Sequence, residues 1–329
     1  MTFILNFIQR AMMQSIPLLF GSTGEILTEK SGNLNLGIPG IMYVGSISGV
    51  IGAFYYEKSL PSPEMINGFL AVFIPVICSL LGAGLVSLIY AFLTITLRAN
   101  QNVTGLAITT FGVGFGNFFG GSLVKISGGG TAFLALGNTS RFFTASPMQT
   151  GDGWFAQIFL SDGFLVYVAI AMALIATFVL KRTRLGLHLR AVGENPATAD
   201  AAGINVGAYK YGATVIGGMI AGLGGLYHVM NQSLGIWGNN AFGDRGWLAI
   251  ALVIFAFWNP TYAIFGSFVF GGLYILPVMI PGLGREAVQI FKAFPYLVTI
   301  IVLVVVSMRK RRETQPPASL GLSYFREER

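Results

Sequence analysis

Four stretches of this 329-residue chain contain no Lys, Arg, Asp or Glu: Met65 to Leu97, Ala99 to Val124, Tyr211 to Gly243 and Gly246 to Gly284. A bilayer's hydrocarbon core is about 30 Å thick and takes roughly 20 apolar helical residues to cross. Each run is long enough for that, and the last is long enough for two crossings. Shorter charge-free runs, Ser31 to Tyr56, Gly163 to Leu180 and Ala293 to Met308, complete the pattern. Charged residues make up 10% of the chain and hydrophobic ones 54%, against about 25% charged in soluble domains. The expected fold is therefore all-α, a polytopic membrane helical bundle of about 9 to 10 transmembrane helices.

Sidedness follows from the cations, because positive loops are retained in the cytoplasm. Lys181 to Lys210 holds five of the twenty Lys and Arg, and the tail after Met308 holds six more. Both are expected inside. From those anchors, crossings at 211–230, 245–258, 261–280 and 292–308 close the parity. Working backwards, 164–180 runs inward, 102–120 outward, 67–97 inward as one long tilted helix, and 38–55 outward, which leaves Arg98 inside. A first helix over Phe3 to Phe20 then starts outside, unless Gly21 to Gly37 re-enters the membrane. It carries only Arg10, with no basic residue ahead of it and no small-residue cleavage pattern, so it is expected to be a retained helix. The chain divides into a transmembrane domain, 1–308, containing a cytoplasmic loop at 181–208, and a cytoplasmic tail, 309–329. Gly121 to Asp162, with glycines at 128–130, is the longest exterior stretch.

The formal charge of +7 is no nucleic-acid signal, since its carriers cluster at membrane edges where they meet anionic lipid. Cys78 stands alone, which excludes an intramolecular disulfide and a multi-cysteine zinc site. His188 and His228 form no HExxH, and no GxSxG or GxxxxGK[ST] occurs. No catalytic residue, metal site or cofactor is therefore expected, and any ATP would be hydrolysed by another polypeptide. Glycines four apart (Gly45 and Gly49; Gly112, Gly116 and Gly120; Gly218 and Gly222) let helices approach closely in lipid. That spacing favours packing within one subunit over a dimer seam.

The loop has its own grammar. Asn195 is a strong N-cap, Pro196 suits the first helical position and Gly203 the position just past the end. They bracket a short helix, Pro196 to Ala202, of small side chains with Asp200 as its single charge. Alone in water so short a helix would be unstable. The residue chemistry leaves two readings open: a knob that inserts into a partner's groove, or an amphipathic connector lying on the membrane surface.

The segment GLHLRAVGENPATADAAGINV resembles the coupling loop of permease subunits of ATP-binding-cassette importers, in the ribose and branched-chain amino acid permease superfamily. Residues 21–45, GSTGEILTEKSGNLNLGIPGIMYVG, resemble the opening of nucleoside and simple-sugar permeases that work with basic-membrane-protein-type binding lipoproteins. Gly243 to Pro260, GDRGWLAIALVIFAFWNP, and the end from Pro295 to Arg329 resemble the same branch, so the likeness spans the chain. It implies a type II ABC importer-like permease in a bacterial plasma membrane. The implied partners are a second related permease, an ABC ATPase subunit and a substrate-binding lipoprotein, with membrane lipid around the bundle and a nucleoside as the small-molecule substrate. A monosaccharide or another small solute is the alternative. The family's coupling positions carry over onto Arg190, Glu194, Asn195, Pro196 and Gly203, with Asp200 on the same helix. Two departures stand out: Pro39 replaces a family Glu, and Ala256 replaces a Gly.

Polar residues at membrane depth are costly and mark candidate paths for a polar substrate. Asn33, Asn35 and Asn117 are the favoured ones, ahead of Asn102, Thr104, Asn231, Gln232, Asn240, Asp244 and Arg245. Amides pair with hydroxyls and base edges without charge. Taken singly, each reads more readily as interhelical hydrogen bonding or interfacial placement than as a substrate contact, and Asp244 and Arg245 could pair with each other or face water. A gradient-driven carrier would want a buried carboxylate or an Arg series in its spans. None is expected here.

Overall fold

The computed structural model describes residues 2–128, 133–147, 153, 156, 158, 160–280, 282–309 and 315–325. The chain is a helical bundle in this order: α1 Thr2–Lys30, α2 Ile38–Ser59, α3 Gly68–Ala91, α4 Gln101–Ile126, α5 Gly137–Thr144, α6 Phe164–Arg182, α7 Arg184–Glu194, α8 Pro196–Ala201, α9 Val206–Tyr227, α10 Arg245–Phe255, α11 Pro260–Met279 and α12 Arg285–Arg309. Helices α3 and α9 each run on into a π-helical turn, Phe92–Thr96 and His228–Gln232. A two-residue antiparallel pair, β1 Leu134–Ala135 with β2 Ile236–Trp237, places Leu134 opposite Trp237.

Seven of these helices are long and apolar enough to cross a membrane: α2, α3, α4, α6, α9, α11 and α12. The other two expected crossings are α1 and α10, and both differ from expectation. Helix α1 does not stop near Phe20 and the chain does not re-enter at Gly21; one helix continues to Lys30. Glycine is tolerated there because the bundle uses its missing side chain: a Cβ on Gly24 would lie 2.1 Å from the carbonyl oxygen of Gly217 on α9. The consequence corrects another expectation. Glu25 and Glu29 lie inside the bundle, 0% and 3% exposed, so buried carboxylates are present. Helix α10, at 11 residues, spans about 16 Å at 1.5 Å per residue, half a crossing. The chain enters it by a non-helical stretch after β2.

Helices α1, α2 and α9 form the centre. Buried residues fill 83% of the most apolar stretch of α2 and of α9, against 11% for α12, so α12 is peripheral. The four-residue glycine spacing is used within the subunit: Gly45 meets Gly222, Gly112 meets Gly40, and Gly116 and Gly120 receive the rings of Tyr43 and Trp237. At one end α5 caps the bundle, with Ser140 Oγ donating to the Met230 carbonyl at 2.8 Å and Asn231 Nδ2 to the Phe143 carbonyl at 2.9 Å. Within the expected exterior stretch, residues 129–132, which include two of its glycines, and 148–152, 154, 155, 157 and 159 lie outside the described residues. So does the basic run 310–312.

Candidate functional site: the loop end and the polar core

The end opposite α5 gathers the loop. Thr183 caps α7, its Oγ1 accepting from Gly186 N at 3.2 Å, and Asn195 caps α8, its Oδ1 accepting from Thr198 N at 3.0 Å. Gly203 stops α8 at φ +83°, a left-handed conformation that suits glycine. The loop is seated on α1 through Gly193, where a Cβ would lie 2.2 Å from the carbonyl oxygen of Lys30. Asp200 accepts from Tyr324 Oη at 2.9 Å, and Val192, Ala199 and Val206 form a small apolar cluster against which Tyr324 packs. Arg190 and Glu194 both face Lys30 closely enough to act on its charge. Arg190, Glu194, Asn195, Pro196, Asp200 and Gly203 therefore belong to one compact corner.

Sequence reasoning missed how far the tail takes part. The backbone N and Oγ of Ser319 both donate to the Gly193 carbonyl, at 3.0 and 2.6 Å, and Gly321 N donates to the Gly32 carbonyl at 3.3 Å. Arg98 lies over the Phe325 ring, 4.5 Å from its centroid. The signal available was the Ser-Leu-Gly-Leu-Ser-Tyr-Phe run at 319–325, apolar and aromatic in an otherwise polar tail.

Above this corner, residues 33–36 pass through the bundle without helix. Backbone groups cannot go unpaired at such depth, and buried side chains satisfy them. Leu34 N donates to Gln101 Oε1 at 2.7 Å, Asn35 N to Glu25 Oε1 at 3.0 Å, and Gly37 N to Asn35 Oδ1 at 2.9 Å. Tyr90 Oη donates to the Leu34 carbonyl, and Thr109 Oγ1 to that of Leu36 at 2.8 Å. Asn33 Nδ2 reaches Thr214 Oγ1 at 3.0 Å. Asn33 and Asn35 are fully buried; Asn35 braces this unwound segment, and Asn33 also lines a cavity. Trp258 Nε1 donates to Glu29 Oε2. That bond ties the end of α10, where Phe257 and Trp258 both take φ +53°, to the end of α1 that carries the loop.

Asn117 lies elsewhere. Its Oδ1 accepts from Tyr43 Oη at 2.7 Å, its Nδ2 donates to Asn240 Oδ1 at 2.9 Å, and Asn240 N donates to Tyr43 Oη at 2.9 Å. This uncharged triangle stands where the chain breaks between β2 and α10, so the three favoured asparagines form two groups. Asp244 and Arg245 do not serve each other mainly: Tyr296 Oη donates to Asp244 at 3.4 Å, while Arg245 Nη1 donates to the Phe242 carbonyl at 2.9 Å and its guanidinium lies over Tyr274. Pro39 fits its place at the start of α2 because Gly246 opposes it, where a Cβ would lie 2.4 Å from Pro39 Cα.

Residues 7–304 match the family described as "Branched-chain amino acid transport system / permease component". The chain belongs to that family. It is a multi-pass membrane transport subunit and not itself an enzyme. Among its relatives, a putative glucose ABC transporter permease, TsgC13 of Haloferax volcanii, is 30% identical over 99% of both chains. The nucleoside ABC transporter permease NupC of Lactococcus lactis is 31% identical over 89% of each. The guanosine ABC transporter permease NupQ of Bacillus subtilis is 29% identical over 89% of each. No solved structure matches the chain.

Proposed function

We propose that this permease is one of two related subunits of an ATP-driven importer in a bacterial plasma membrane and that it carries nucleosides. The α7–α8 corner and the C-terminus face the cytoplasm and an ABC ATPase, and a lipid-anchored binding protein delivers substrate outside. The observation that carries the reading is the seating of the α7–α8 corner: α7 rests on α1 through Gly193, and α8, a capped helix of small side chains, is tied to the tail through Asp200 and Tyr324. Arg190, Glu194, Asn195, Pro196, Asp200 and Gly203 receive the ATPase. Motion reaches the bundle through Gly193 against the end of α1, and from Glu29 through Trp258 to α10. Asn117, with Tyr43 and Asn240 at the helix break, offers hydroxyl and amide partners to a neutral polar solute, and Asn33 and Asn35 lie further along the path. ATP drives alternating access because the ATPase binds two permease states with different affinity.

The nucleoside reading rests on NupC and NupQ, and the monosaccharide reading on TsgC13. Buried Glu25 and Glu29 are what a gradient-driven carrier would want, but each already holds bundle elements together, Glu25 Oε1 accepting from Asn35 N and Glu29 Oε2 from Trp258. The test is the complex reconstituted in vesicles with its ATPase and binding protein. Nucleosides should stimulate ATP hydrolysis several-fold and glucose should not; the reverse selects the sugar, and uptake without the ATPase overturns the importer.

A further inference from the structure

Lys210, near the start of α9, is 4% exposed. Among the described residues its ammonium group has no hydrogen bond and no ion pair, and burial alone bears on its charge. It lines a cavity of about 300 Å³ with Asn33, Thr94, Thr96, Arg98 and, from the tail, Ser323. Among the described residues no carboxylate lines this cavity. Arg98 is held at its rim by the ring of Phe325, and Thr96 by a 2.5 Å hydrogen bond to Tyr211.

A buried charge without a partner is expensive, and proteins retain one where something supplies the opposite charge. The same end of α1 shows the contrast, since Lys30 has Glu194 and Glu29 close by. Among the described residues Lys210 has no such carboxylate, and the other charged group lining its cavity is Arg98. Two cations, four side-chain hydroxyls and two amides, with no competing anion among the described residues, suit a compact, multiply charged oxygen anion. A phosphoryl group presents such oxygens, to a guanidinium as a fork and to an ammonium as a point charge.

We propose that this cavity binds a phosphate-bearing anion, with its phosphoryl group between Lys210 and Arg98. The cavity lies where α9, the turn after α3, the segment before α2, the start of α4 and the docked tail meet, so the ligand clasps the tail to the bundle beside α8. Free phosphorylated solute and the headgroup of an anionic lipid offer the same chemistry.

The full-length permease, purified with its partners in a non-ionic detergent, is titrated with inorganic phosphate or with phosphatidylglycerol in mixed micelles, and thermal unfolding is followed. At roughly 100-fold excess over Kd either active source should raise the midpoint by about 5 °C. A shift with phosphate identifies a free anion; a shift with phosphatidylglycerol but not phosphatidylcholine identifies lipid. Lys210→Met should abolish the shift while leaving the empty protein as stable or more so, because an unpaired charge is gone. Arg98→Gln, at the rim, should weaken the response about tenfold and provides the readout if Lys210→Met does not assemble. The proposal is overturned if neither source shifts the midpoint, if both variants respond like the parent, or if sodium chloride at matched ionic strength does the same.

Discussion

Asp162 lies buried, 5% exposed, two residues before α6, and burial pushes its carboxyl up to about 6 from an ordinary value of 3.8. The folded state therefore holds this proton more tightly than the unfolded chain. As pH rises from about 4 to 6 the unfolded state releases it first and stability falls by roughly 2 to 3 kcal/mol; above that window both states are ionised and the loss is constant. The parent should melt at higher temperature at pH 5 than at pH 7.5 by the contribution of this group, and Asp162→Asn should reduce that difference. An unchanged pH profile in Asp162→Asn would show that the carboxyl is solvated. At the same scale, Asn195, Pro196 and Gly203 were legible because capping is a local contract between neighbours in sequence. Glu25 and Glu29 were not, although four-residue spacing puts both on one helix face. Their burial depends on how far α1 continues, and that is decided by Gly24 meeting Gly217 across 193 positions of chain.

Two non-helical passages organise the elements: residues 33–36 before α2, and the stretch between β2 and α10. The first is held by Glu25, Gln101, Tyr90 and Thr109, so Glu25→Ala should leave Asn35 N unpaired and cost about 1 to 3 kcal/mol. Lowered thermal stability with ordinary membrane insertion is the expected result, and no change in midpoint would sink the bracing role. Charge-free length cannot reveal these breaks, since an unwound apolar segment has the same composition as a helical one. It revealed α2, α3, α4, α6, α9, α11 and α12 well, because crossing a bilayer sets one length for all of them. It overstated α10, whose 11 helical residues cover only part of the run from Gly246. The tail differs in kind: its docking on Gly193 and Gly32 joins positions more than 120 apart.

For the whole transporter, the loop corner is the proposed contact with the ATPase, so damage there should spare the bundle and lose the work. Glu194→Lys and Pro196→Gly should insert and assemble but transport at least tenfold more slowly per ATP hydrolysed, measured as the ratio of uptake to phosphate release. A parental ratio in both would move the coupling contact elsewhere. What the sequence determined by itself was class and seam: a polytopic helical bundle, with a capped helix in a basic loop between two apolar runs. Those properties follow from solvent partition and from local backbone chemistry, which act on residues regardless of distant neighbours. Only the tertiary structure decided that α1 buries two carboxylates, that Asn35 braces backbone while Asn117 joins Tyr43 and Asn240, and that Lys210 faces a cavity with no counter-charge. Each depends on which remote segment lies opposite, and one chain's composition does not encode that pairing.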